Sequence, residues 1–110
     1  MTVGTLPAAL KIGNQTYALG TLTEESTEKY SGRGNRMAGW IRLHPDLTGV
    51  FLGEVLWHEI IHQVLEQGEF KDANADEKLI ERLSCGVSGV LLDNPELVKW
   101  MQELAVQRAP

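Results

Sequence analysis

The stretch His58-Glu59-Ile60-Ile61-His62 holds the residue types and spacing that support chemistry. On a helix, side chains four apart lie one above the other, so the imidazoles of His58 and His62 converge on a single ion. Glu59, about 100° round the helix from His58, then sits beside that ion, placed to take a proton from water. Imidazole nitrogens and a carboxylate oxygen suit zinc in a tetrahedral shell whose fourth position is left to water. The neighbouring residues sharpen this reading, because Val50, Phe51, Leu52, Val55, Leu56 and Trp57, followed by Ile60, Ile61, Val64 and Leu65, make the helix apolar almost all round. Two histidines and a glutamate buried in such a helix without partners would each cost about 1–3 kcal/mol. A metal or a hydrogen-bond network offsets that cost.

A third protein ligand must come from another element, and Asp76, Glu77 and Glu81 stand at suitable chain distance. Glu77 is the preferred ligand, since it lies at the edge of the next helix's apolar stripe beside Ser84 and Ser88, where it can face a neighbour. Glu81, one turn on, is placed to accept the free ring proton of a ligating histidine and so orient it. The run Asn74-Ala75-Asp76-Glu77 also fits a capping box, in which Glu77 would bond back to the Asn74 backbone. Glu81 and Asp76 stay open as substitute ligands.

The elements that must carry these residues can be read from periodicity. Residues 9–12 and 16–22 read as strands joined by Gly13-Asn14, with Tyr17, Leu19 and Thr21 alternating against Ala18 and Leu22. Residues 23–37, centred on Ser31-Gly32-Arg33-Gly34-Asn35, read as an exposed loop, and no lysine and hydroxyl residue follow its glycines as a phosphate loop requires. A third strand at 39–44 sets Trp40, Arg42 and His44 against Ile41 and Leu43 and stops at Pro45. It is a candidate edge strand for an extended substrate. Thr48 or Asp46 can cap the histidine helix, and Gly68 fits a left-handed stop after Gln67. A second helix over 74–92 repeats Leu79, Ile80, Leu83, Val87, Val90 and Leu91 as one stripe. Asn94 and Pro95 then open a third helix over 96–107, amphipathic through Leu97, Trp100, Met101 and Leu104, which either closes the core or forms a dimer contact. Trp57, Trp100 and Cys85 fit packing roles on these helices. Strands followed by helices indicate one α+β domain over residues 1–110: a small N-terminal antiparallel sheet on a buried histidine helix, with two further helices.

With His58-Glu59-Ile60-Ile61-His62 and Glu77-Lys78-Leu79-Ile80-Glu81 in view, the chain resembles the gluzincin metallopeptidases, and among them small minigluzincin and phage-encoded proteins. The resemblance runs from Gly39 onward and extends through Asp93-Asn94-Pro95-Glu96-Leu97. It implies a zincin-like fold, with a small sheet over the histidine helix and a glutamate on the following helix completing the zinc site. It further implies His58, His62 and Glu77 as ligands, Glu59 as general base, Glu81 behind a ligand, and peptide-bond hydrolysis. Two departures stand out: the gap from His62 to Glu77 is short, and Asp76 replaces the usual asparagine before the third ligand.

Bulk properties bound the alternatives. With 110 residues and 43% apolar content there is room for one core, so the site must share its walls with that core. A net charge of -5 without a basic run argues against nucleic acid and anionic membranes. One cysteine excludes a disulfide framework and a four-cysteine zinc site. Residues 1–11 show no basic leader, and no apolar run reaches spanning length, so a cytoplasmic protein of a bacterium or a phage-infected host is expected. Tyr30, Arg42 and His44 are candidates to stabilise an oxyanion. The competing class is a zinc-stabilised interaction or regulatory module without turnover, in which a fourth protein ligand would close the shell.

Overall fold

The computed structural model describes residues 6–108, so the first five residues of the N-terminal stretch read for a leader lie outside it. Four strands and five helices follow in the order β1 (Ala9–Ile12), β2 (Gln15–Thr21), α1 (Glu24–Thr27), β3 (Gly32–Asn35), β4 (Trp40–Leu43), α2 (Gly49–Gln67), α3 (Lys71–Ala75), α4 (Glu77–Asp93) and α5 (Pro95–Arg108). The protein is therefore α+β, and no described helix is long and apolar enough to cross a membrane.

The hairpin expected at Gly13-Asn14 forms, with Ile12 opposite Gln15 and Gly13 at φ 60°. A glycine first in a two-residue loop supplies the positive φ that matches the strand twist. The sheet, however, is mixed rather than antiparallel. Its order is β1-β2-β4-β3, and β2 runs parallel to β4. A parallel pair needs a long crossover, and residues 22–39 provide it by way of α1 and β3. The segment read as an exposed loop thus contains a strand, β3, at the sheet edge. The candidate edge strand, β4, lies inside the sheet.

Period-two alternation sends Ile41 and Leu43 inward from β4, where they form the core with Ile12 and Tyr17. Leu52, Val55, Leu56 and Ile60 of α2 pack against this cluster. Tyr17 is fully buried, and its hydroxyl accepts a bond from Gln67 Nε2 at 3.1 Å, the partner that burial demands. The same Gln67 nitrogen donates to the Ile12 carbonyl, which ties the end of α2 to the hairpin.

The histidine helix is less enclosed than its composition implies. Only Glu59 and Gln63 of α2 are buried, while Val50, Phe51 and Val64 are exposed. The sheet covers one side and α3 and α4 another, and two covers cannot wrap an all-apolar cylinder. Thr48 is its N-cap residue, without a side-chain cap bond. At the other end Gly68 is right-handed, and the left-handed position falls on Glu69 at φ 62°. There Glu69 N–H bonds to the Glu66 carbonyl and Phe70 N–H to that of Leu65, which is a Schellman closure with a glutamate in the glycine position.

Three helices, not two, follow α2. The expected helix over 74–92 breaks at Asp76, whose carboxylate accepts the Leu79 N–H at 3.1 Å and caps α4. Pro95 opens α5 as expected, but the Asn94 side chain bonds back to the Val90 carbonyl at 2.8 Å. The buried face of α4 is Ile80, Ser84 and Ser88. Leu79, Leu83 and Val90 of the apolar stripe are exposed, as is Trp100, which corrects its assignment to packing. Trp57 and Cys85 are half-buried.

Candidate metal centre

Small residues set the spacing between the two helices that carry the site. Ser84 and Ser88 face α2, and a Cβ added to Gly53 would lie 3.6 Å from Ser88 Oγ, so α4 runs close along α2. One and two turns before Ser84 on the same face, Glu81 and Glu77 are carried up to the histidines.

The two rings meet edge to face, centroids 4.8 Å apart, with Nε2 to Nε2 at 3.2 Å. Glu77 reaches both: one carboxylate oxygen lies 3.2 Å from His58 Nε2 and the other 3.3 Å from His62 Nε2. The predicted trio of His58, His62 and Glu77 is thus brought together, with ligand atoms all within 4.8 Å of one another. The other ring nitrogens are occupied. Glu81 lies 3.5 Å from His58 Nδ1, the place predicted for it, and Asn74 Oδ1 lies 2.6 Å from His62 Nδ1. Sequence reading weighed Asn74 only within the capping box set against a Glu77 ligand, and missed this contact. Because α3 ends at Ala75 and α4 starts afresh at Glu77, the capping box does not form, and Asn74 turns to the histidine. Asp76, the third candidate ligand, serves as the cap.

This donor set fits a cation. An acceptor at each Nδ1 favours the tautomer that carries its proton there, and that tautomer turns the Nε2 lone pairs of both histidines toward the Glu77 carboxylate. Three acceptors pointing at one another repel unless something positive lies between them. Two imidazoles and a carboxylate are the donors zinc takes when one position is kept open. The histidines are 21% and 18% exposed and Glu77 67%, so the trio sits at the mouth of a cleft.

Glu59 lies on the inner side of that cleft and is 7% exposed. Burial pushes its carboxyl above the ordinary range; His58, His62 and Arg33 pull it back, and Glu77 adds to the rise. Among the described residues no side chain pairs with it. The β3 edge forms the opposite wall. A Cβ on Gly32 would come within 3.1 Å of Glu59 Cγ, and one on Gly34 within 2.4 Å of Gln63 Nε2. The glycines that looked like loop punctuation are what let a strand lie directly on the helix. Gln63 is buried beneath Gly34 with its Oε1 unpartnered.

The space between these walls, about 400 Å³, is bounded by Gly32, Arg33, Gly34, Glu59 and the trio. A second hollow of about 290 Å³ continues past His58 and Glu59 toward Phe51 and Lys29. Tyr30 lines both, with the Arg33 guanidinium 4.8 Å over its ring. Of the other oxyanion candidates, His44 bonds to the Asp46 backbone, and Arg42 stacks on Trp40 at 4.0 Å. Neither lines the cleft. No protein family, curated protein or solved structure matches the chain.

Proposed function

We propose that this protein is a zinc-dependent peptidase, cleaving peptide or protein substrates in the cytosol of a bacterium or phage-infected host. The observation that carries the reading is the convergence of His58, His62 and Glu77 on one point at the mouth of an open cleft, beside a buried Glu59 that pairs with no side chain among the described residues. A zinc ion held by the three side chains would polarise the scissile carbonyl and make water easier to deprotonate. Glu59 accepts the proton of the attacking water, then passes it to the leaving amine. Burial holds its carboxyl above the ordinary range, which makes it a stronger base toward the water proton than an exposed glutamate. Glu81 and Asn74 hold the imidazoles in the tautomer that offers Nε2. Tyr30 and Arg33, on the wall opposite, are the polar groups available to a substrate carbonyl. The β3 edge, with one side unpaired, gives an extended backbone a strand to lie against.

A second reading has an observation of its own. The buried α2–α4 contact sets Gly53 against Ser88 and brings the helices close, with Ile80 and Ser84 buried on the same face of α4, and a metal bridging the two helices would fasten that contact without turnover. One experiment separates the two. Zinc-loaded protein is incubated with a mixed peptide library and the products are read by mass spectrometry. Cleavage that vanishes in Glu59→Gln supports the peptidase; no cleavage, with zinc still raising the melting temperature, supports the structural role.

A further inference from the structure

The cleft of the metal centre does not end at the histidines. His58 stands between two spaces: Glu77 borders the one of about 400 Å³ and Glu81 the one of about 290 Å³, while Glu59 and Tyr30 line both. The smaller hollow therefore opens beside the group that would activate water, on the side where Glu81 lies 3.5 Å from His58 Nδ1. Its volume falls just under the roughly 300–1,000 Å³ of sites that take a whole small molecule, and suits one long side chain.

Two kinds of wall meet there. Phe51 and Val55, one turn apart on α2, are apolar, and the Tyr30 ring joins them. Glu54, Glu59 and Glu81 supply three carboxylates, against a single lysine, Lys29. Lys29 is exposed and, among the described residues, forms an ion pair with none of the three. Glu81 is engaged at His58 Nδ1, and Glu59 is 7% exposed, without a side-chain partner among the described residues, beside the metal centre. Glu54 has no such engagement. It is half-buried one turn before His58 on the same face of α2, and no cation among the described residues pairs with it.

These walls select among occupants. An acidic side chain would meet like charges. An apolar one would strip water from the Glu54 and Glu81 carboxylates and offer no hydrogen bond in return. A lysine or arginine satisfies both walls at once, with its methylene stem along Phe51 and Val55 and its charged head on Glu54. The net charge of -5 also draws cationic chains toward the protein.

We propose that this hollow takes a basic side chain next to the scissile bond, with Glu54 as the residue that selects it, so that the substrates are lysine- or arginine-containing peptides. The proposal rests on the peptidase reading of the metal centre. Glu54 is neither a ligand nor the base there, and acts by binding the side chain.

The test uses the zinc-loaded full chain and peptides blocked at both ends, identical except for arginine, citrulline, leucine or aspartate at one central position. Citrulline keeps the shape of arginine and drops its charge. Wild-type cleavage is read as kcat/KM, with the cut located by mass spectrometry, and binding to Glu59→Gln is read by isothermal titration. In both, the arginine peptide is expected to lead citrulline by about 10-fold or more, the size of a charge-assisted hydrogen bond, with the cut adjoining the arginine. Glu54→Gln should erase that lead, and Glu54→Lys should pass it to the aspartate peptide, a gain that a misfolded variant cannot show. Binding separates this claim from the peptidase itself: no cleavage, with the arginine preference and its dependence on Glu54 intact in titration, contradicts the peptidase and supports the hollow as a site for basic side chains. Arginine and citrulline peptides that behave alike, including the case where neither binds, overturn the proposal. So does a leucine or aspartate peptide that outranks arginine in wild type, or an arginine preference untouched by Glu54→Gln.

Discussion

Asn74 Oδ1, near the end of α3, lies 2.6 Å from His62 Nδ1 on α2. That contact fixes which nitrogen of His62 carries the proton and turns its Nε2 toward His58 and Glu77. It also explains the break at Asp76, since a continuous helix over 74–92 would place Asn74 and Glu77 as partners in a cap instead of on either side of one histidine.

Asn74 and Asp76 should therefore separate cleanly on substitution. Asn74→Ala is expected to weaken zinc binding by about 10–100-fold, as does loss of other outer partners of ligating histidines. Asp76→Ala removes the α4 cap and should cost roughly 1 kcal/mol of stability with zinc affinity retained. Isothermal titration with zinc and denaturant melts of the metal-free proteins check the pair.

Glu59→Gln should abolish hydrolysis while raising the stability of the metal-free protein at neutral pH. Burial raises the folded-state pKa of Glu59 above its unfolded value. Its contribution to stability is therefore fully present below the unfolded pKa, about 4.3, and is lost as pH rises through the folded pKa. Glutamine carries no charge, so its advantage is absent in acid and grows toward neutrality. Melting temperatures at pH 4 and pH 7.5, measured with chelator present, test the sign.

Gly34→Ala should destabilise the fold by about 1–3 kcal/mol, because the new methyl meets the amide of buried Gln63, which must turn aside in a packed site. Gln63→Ala in the same chain should recover part of that loss, since it clears the space and removes an unpartnered buried oxygen. A double-mutant cycle from urea unfolding gives the coupling, expected at about 0.5–3 kcal/mol.

Glu69→Gly should stabilise by about 1 kcal/mol, because the Schellman position that ends α2 demands a left-handed residue and only glycine takes it without steric cost. A higher urea midpoint at unchanged slope is the expected reading.

The parts legible in sequence are those set by local periodicity. The alternation around Ile41 and Leu43, the hairpin at Gly13, and the pairing of His58 with His62 depend only on residues within a turn or a strand of one another. Glu77 and Glu81 were legible as well, since one helical face carries them with Ser84 and Ser88. What sequence left hidden depended on contacts between distant segments. Gly32 and Gly34 read as loop residues because the reason for them, the close approach of β3 to Glu59 and Gln63, lies more than twenty residues away. The parallel pairing of β2 with β4 is likewise a choice of strand order that no single strand encodes. The role of Asn74 at His62 was not legible, because one residue type serves a cap and a histidine equally well. Glu69, where glycine was expected one residue earlier, shows a closure imposed by the chain's path.

The most direct test of the metal centre is zinc stoichiometry measured on protein purified without chelators and dialysed against excess zinc. One equivalent in wild type and in Glu59→Gln, lost in His58→Ala, His62→Ala and Glu77→Ala, is the predicted result. A wild-type chain that binds no zinc, or one whose binding is untouched by removal of Glu77 and the two histidines, would contradict it.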